Sequence, residues 1–142
     1  MKKLLLLLAV PVLLLSACKK EKVIDDNDLP RDARDFIATH FSGITISQSV
    51  REWDDTKWKY EVYLSNGTKL EFNHRGDIEE ISGNSALPDS ALPSLLVSYV
   101  RTNYPNEYIR KWELESTTQE ITLSNNVELV FDKQGNFLRI DQ

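Results

Sequence analysis

Apolar and polar positions along this chain change period twice, and in the same order each time. Leu29, Ala33, Phe36, Ile37 and Phe41 recur at steps of three and four, which places one apolar stripe along a helix. Asp28 stands where a cap belongs and Pro30 suits the first turn. The period then becomes two. Residues 44–53 read as a long strand, and Trp58, Tyr60, Val62 and Leu64 alternate with Lys59, Glu61 and Tyr63 as a half-buried one. Ser65-Asn66-Gly67 signals a hairpin, because Asn-Gly tolerates the positive φ of a type I′ turn. Thr68, Leu70 and Phe72 return, His74-Arg75-Gly76-Asp77 turns again, and residues 78–81 form a short last strand. Leu92, Leu96, Tyr99, Val100 and Tyr104 restate the helical stripe, which Pro105 stops. Strands follow over 109–114, 121–123, 127–131 and 137–140.

The two passes are also alike letter by letter. A shift of 59 lays residues 50–81 on 109–140 without a gap, and ten of these 32 positions are identical, Trp53/Trp112, Glu61/Glu120 and Gly76/Gly135 among them. Upstream the offset is 63, matching Leu29-Pro30 to Leu92-Pro93, so the second copy lacks four residues near its first strand. The expected fold is α+β: a tandem repeat of a helix followed by a roughly four-stranded antiparallel meander. The first copy spans 29–81, a joint 82–87 and the second copy 88–142. A unit this small buries only about 60% of its unfolded surface by itself. The two sheets are therefore expected to meet edge to edge as one continuous curved sheet, with helices on one face and water on the other.

The chain starts with Met1-Lys2-Lys3 and an apolar run over 4–15. That run is too short for the ~30 Å hydrocarbon core and suits a signal peptide, assigned to residues 1–17. Leu15-Ser16-Ala17-Cys18 resembles the bacterial lipobox, in which the Cys thiol carries diacylglycerol. Cys18 is the only cysteine, so there is neither a disulfide framework nor a Cys-based zinc site. Residues 18–28 read as a lipidated Cys and polar tether. Asp25, Asp26 and Asp28 lack the spacing of a calcium loop. The expected location is the cell envelope, lipid-anchored, with the outer membrane preferred because Lys19 rather than Asp follows the cysteine. Acyl chains supply the membrane contact.

Leu29-Pro30, Tyr60-Glu61-Val62, Leu64-Ser65-Asn66-Gly67, Glu71-Phe72 and Gly76, with their second-copy equivalents, resemble the PepSY-like proteins of Bacteroidetes. That group is similar to the beta-lactamase-inhibitor fold, and the resemblance covers residues 29–142. It implies a secreted, non-enzymatic binding module, with inhibition of an envelope or secreted enzyme as its specific form. These motifs are turn and core signals, so they specify fold rather than activity, and no catalytic residue comes with them. Asn126 stands where the first turn has glycine; asparagine also reaches the left-handed region.

Charge and motif content narrow the chemistry. With 22 acids against 17 bases and a net charge of −5, a nucleic-acid surface is excluded. No G-x-S-x-G, phosphate-binding glycine loop or H-E-x-x-H occurs. His40 sits at a helix end and His74 in a turn, and those roles account for both. Glu79 and Glu80 are adjacent on a strand, point to opposite faces and cannot share a proton. No catalytic residue, metal site or cofactor is expected. The informative set is aromatic. Alternation counted from Ile46 and Val50 puts Trp53 on the helix-free face, and counting from Ile109 puts Trp112 there. Tyr63 shares that parity, with Arg51, Lys59 and Arg110 nearby, a composition like that of protein-interface hot spots. The competing reading is a β-bulge that turns each Trp inward, or a Trp that covers the joint. The expected partner is an unknown protein. The alternatives are a small-ligand or cation binder, or a hydrolase with an unrecognised site.

Overall fold

A computed structural model describes residues 20–54 and 56–141. The elements are β1 (Glu21–Ile24), α1 (Arg31–His40), β2 (Ile46–Asp54), β3 (Lys57–Leu64), β4 (Lys69–Phe72), β5 (Ile78–Ser82), α2 (Ser94–Asn103), β6 (Ile109–Leu114), β7 (Thr118–Leu123), β8 (Glu128–Asp132) and β9 (Phe137–Asp141). All nine strands form one antiparallel sheet in chain order. β5 and β6 join its two halves through Glu80↔Glu113, Ile81↔Trp112 and Ser82↔Lys111. The edge-to-edge expectation therefore holds.

Cross-strand register fixes which side chains share a face. One row crosses the whole sheet: Ile24, Ser49, Val62, Leu70, Ile81, Trp112, Ile121, Leu129 and Ile140. The helices close over it, and Ala33, Ile37, Leu96, Val97 and Val100 join Val62, Leu70, Ile81, Trp112 and Leu129 in one core. Phe36 of α1 meets Phe72 edge-on at 5.9 Å between ring centroids, and Tyr99 of α2 meets Phe131 in the same way at 5.2 Å. Gly76 sets the separation on the first side. Its φ is +97°, and a Cβ there would lie 2.8 Å from Pro30 Cβ and 2.9 Å from Ala33 N. The missing side chain is what lets the β4–β5 turn touch the start of α1.

Each half carries an extra residue at the same place, and that residue reverses the parity expected from simple alternation. In β2 the register passes from Ile46↔Leu64 to Gln48↔Tyr63, leaving Ser47 over. In β6 it passes from Ile109↔Leu123 to Lys111↔Thr122, leaving Arg110 over. Beyond the extra residue every side chain changes face. Trp53 and Trp112 therefore lie on the helix side, contrary to the alternation count and in agreement with the bulge alternative.

Three further expectations change. Asp28 does not cap α1. It belongs to a short 3₁₀ turn (Asp26–Asp28) whose own cap is Asp25, the acceptor of Asn27 N–H at 2.9 Å, while Pro30 occupies the helix N-cap position. The Ser65-Asn66-Gly67 turn is not type I′. Only Gly67 has positive φ, and its N–H bonds Leu64 O at 3.0 Å, which is the three-residue hairpin with one left-handed residue. Asn126 holds the matching place with φ 68°. Finally, the tether expected over 18–28 is in large part structured. Residues 21–24 pair with β2, Trp53 N–H bonds Lys20 O at 3.1 Å, and Ser49 donates to Asp26 Oδ1 at 2.7 Å. An open backbone edge on β2, together with Ile24 packed against the core, outweighs the polar composition. The signal peptide assigned to 1–17, and Cys18, lie outside the described residues.

Candidate protein-binding face

The face without helices carries its own row: Val50, Glu61, Glu71, Glu80, Glu113, Glu120, Val130 and Arg139, aligned across β2 to β9. Five glutamates thus stand on five successive strands, about 4.8 Å apart by strand spacing. Like charges directly opposite each other destabilise a sheet. Two lysines from the neighbouring row offset this. Lys69 Nζ lies 3.1 Å from Glu61 Oε1 and 2.5 Å from Glu71 Oε1, and Lys111 Nζ lies 2.5 Å from Glu113 Oε2 and 3.9 Å from Glu80 Oε2. Tyr63 adds a hydroxyl, donating to Glu61 Oε2 at 2.7 Å.

The row is half-buried, and Glu61, Glu80 and Glu120 in it are shifted in different directions. Burial raises Glu80, the charges of Glu71 and Glu113 push it further, and Lys111 only partly opposes them. Glu120 is raised by burial and then by Glu115, Asp141 and Glu113. At Glu61 burial pulls the same way, but the Tyr63 hydroxyl and Lys69 outweigh it and hold the carboxyl below its usual range. Lys69 also loses solvent, yet Glu71 and Glu61 more than compensate and raise its pKa. Negative charge is therefore well compensated at Glu61 and under-compensated at Glu80 and Glu120.

The six residues expected to form a binding set do not gather on one surface. Tyr63 and Lys59 do lie on the helix-free face, Tyr63 against Glu61 and Lys59 opposite Glu52 in register. Trp112 is buried at 5% exposure, its indole N–H donating to Gln119 Oε1 at 3.2 Å. Arg51 and Trp53 are on the helix side at the far end of the β2–β3 hairpin, where the Arg51 guanidinium sits 4.6 Å from the Trp58 ring centroid. Arg110, the bulged residue, is spent on the next turn: Nε donates to Leu123 O at 3.3 Å and a terminal nitrogen to Asn126 Oδ1 at 2.7 Å. Alternation within one strand did not reveal the glutamate row. Laying the hairpins beside one another from their turns would have aligned Glu61 with Glu71 and Glu113 with Glu120. The step at Glu80 needs the bulge in β5, where Glu71↔Glu80 gives way to Phe72↔Ile78 and Glu79 is left over.

His40 and His74 remain in structural places. His40 Nδ1 is 3.1 Å from the exposed Ser90 Oγ, and its ring packs on Phe36 at 4.5 Å; this contact ties the end of α1 to the connector before α2. His74 is exposed in the β4–β5 turn, which Asn73 organises by accepting three backbone N–H bonds on Oδ1. Among the described residues, no three His, Cys, Asp or Glu side chains are grouped as metal ligands, and no helix is long and apolar enough to cross a membrane.

Two helices thus back one face of an antiparallel sheet and leave the other uncovered. Residues 58–139 match the family described as "Putative beta-lactamase-inhibitor-like, PepSY-like". The chain belongs to this PepSY-like family. Solved structures agree. A "putative calcium-regulated periplasmic protein" from Bacteroides thetaiotaomicron is 35% identical with a TM-score of 0.82, over 86% of this chain and 97% of that one. A putative periplasmic protein of the DUF2874 family from Bacteroides vulgatus is 37% identical with a TM-score of 0.81, over 86% and 97%. A third, from the same organism and of unknown function, is 33% identical with a TM-score of 0.81, over 87% and 100%. No curated protein matches the chain significantly. The solved relatives are described as periplasmic, and none of these likenesses indicates an enzymatic family.

Proposed function

We propose that this PepSY-like chain is a lipid-anchored cell-envelope protein that acts as a non-enzymatic binding module, engaging a protein partner through the helix-free face of its sheet. The observation that carries this reading is the row Glu61–Glu71–Glu80–Glu113–Glu120 on a face that no helix covers. Holding Glu80 and Glu120 ionised within this row costs stability, and a fold that needed only a solvated surface would have no use for that cost. A cationic protein surface would neutralise the under-compensated Glu80 and Glu120 and gain electrostatic steering. Inhibition of an envelope or secreted enzyme is the specific form of binding that the family description suggests. The test is a quantitative crosslinking pull-down from native envelope, comparing wild type with Glu80→Gln/Glu113→Gln and with Tyr63→Ala. The double variant is expected to lose the partner at unchanged folding, and unchanged recovery would count against this face.

A second reading, calcium regulation, rests on the description of the relative from B. thetaiotaomicron and on the acidic row. Lysines from the neighbouring row reach into it, and no set of ligands converges among the described residues, so millimolar calcium is expected to leave the melting temperature unchanged. A clear rise would favour this reading over the first. We also infer that the two halves descend from one duplicated unit. In support, the bulges recur 63 residues apart in β2 and β6. The hairpin bonds Leu64 N–H to Thr68 O and Leu123 N–H to Val127 O recur 59 apart.

A further inference from the structure

The first described strand does something a free tether would not: it fixes Lys20 at one defined corner of the molecule. Lys20 O accepts from Trp53 N–H at 3.1 Å, and Glu21 pairs with Glu52, so β1 begins beside the far end of the β2–β3 hairpin. Cys18 is two residues before Lys20, which limits the intervening chain to about 7 Å. That corner has an unusual composition. Trp53 and Trp58 face one another across the hairpin, 4.9 Å apart and edge-on, and Trp53 is 38% exposed. Arg51 stacks on Trp58, and Lys20, Lys22 and Lys57 are exposed around them.

Indole rings beside long cationic side chains are the pairing found at membrane–water interfaces, where the ring sits among headgroups and the cations reach phosphate. We propose that the Trp53–Trp58 end of the β2–β3 hairpin is a second membrane contact, seated on the phospholipid headgroups next to the lipid attached at Cys18. This rests on the lipid-anchor reading above. The acyl chains supply affinity and the hairpin supplies orientation, so the sheet is held at a fixed attitude to the bilayer and does not swing on a leash.

The test uses the full-length protein processed in a bacterial envelope, purified and reconstituted into phosphatidylethanolamine/phosphatidylglycerol vesicles carrying shallow-brominated acyl chains. The mass of the N-terminal peptide reports acylation independently. Bromolipid is expected to quench part of the tryptophan emission. Trp53→Phe should remove most of that loss, whereas Trp112→Phe should leave it intact, because Trp112 is buried and serves as the reporter of folding. An acylated, folded protein with unquenched tryptophans overturns the hairpin contact and leaves the anchor reading standing. Emission that responds to added envelope proteins but not to lipid also overturns it, in favour of a protein occupant. Loss of acylation overturns both readings together.

Discussion

Single residues decide how much charge the helix-free face tolerates, and two glutamates in the same row respond to acid in opposite directions. The pKa of Glu80 is raised in the fold by burial and then by Glu71 and Glu113. Its ionised form is therefore a penalty, present above the folded pKa and relieved as pH falls through it. Glu80→Gln is expected to stabilise the protein at pH 7 by up to about 1 kcal/mol, allowing for partial solvent screening. The gain should fade in acid, where the wild-type carboxyl is already protonated. Glu61 behaves in reverse. Its pKa is lowered, so its contribution is present above the unfolded value and is lost as pH falls through the folded one. Glu61→Gln should destabilise by about 1 kcal/mol at neutral pH and become neutral in acid. Urea denaturation of both variants across this pH range checks the two signs together. Glycines separate as cleanly. Gly76→Ala meets both a positive φ and backbone atoms of α1, so a loss of roughly 2–4 kcal/mol is expected. Gly135→Ala shares the positive φ but should cost less, because no backbone atom stands close: its nearest neighbours are Leu95 Cβ at 3.0 Å and Leu95 Cδ1 at 3.1 Å, and Cδ1 on that exposed residue can turn aside.

At the scale of elements, periodicity and punctuation show the helices, four strands in each half and the turns at 65–67 and 74–77, because apolar burial on one face imposes those periods on the sequence. The faces were harder to read. One bulged residue in β2 and one in β6 invert the parity of everything after them, and nothing in Ser47 or Arg110 announces a bulge. Simple alternation therefore counts Trp53 and Trp112 onto the helix-free face, and it does not show the glutamate row, which exists only once strands are aligned side by side. β1 was missed for a related reason: a four-residue edge strand is fixed by the backbone of its neighbour, which composition does not record. The inward position of Trp112 has a measurable consequence. Trp112→Ala is expected to cost about 3–5 kcal/mol, the range for a fully packed aromatic, and Trp53→Ala about 1 kcal/mol. Equal costs in thermal or chemical denaturation would contradict the parity assigned here.

Across the whole molecule, the pairing of β5 with β6 makes one structural unit of two that would be marginal apart. Ile81 and Trp112 are opposite one another in the core row, so unfolding either half exposes the other's buried surface. A single cooperative transition is expected, with far-UV circular dichroism and Trp112 fluorescence superimposed; two separate transitions would mean that the halves fold independently.

The spacing of the carboxylates is set by backbone hydrogen bonds and not by the side chains themselves, which makes the row a ruler with divisions of about 4.8 Å. An α-helix laid across the strands brings back the same side every 5.4 Å or so and stays nearly in step over three or four divisions. An extended peptide returns only every ~6.8 Å and falls out of step at once. Whatever reads this ruler with regularly placed cations keeps time with it best as a helix.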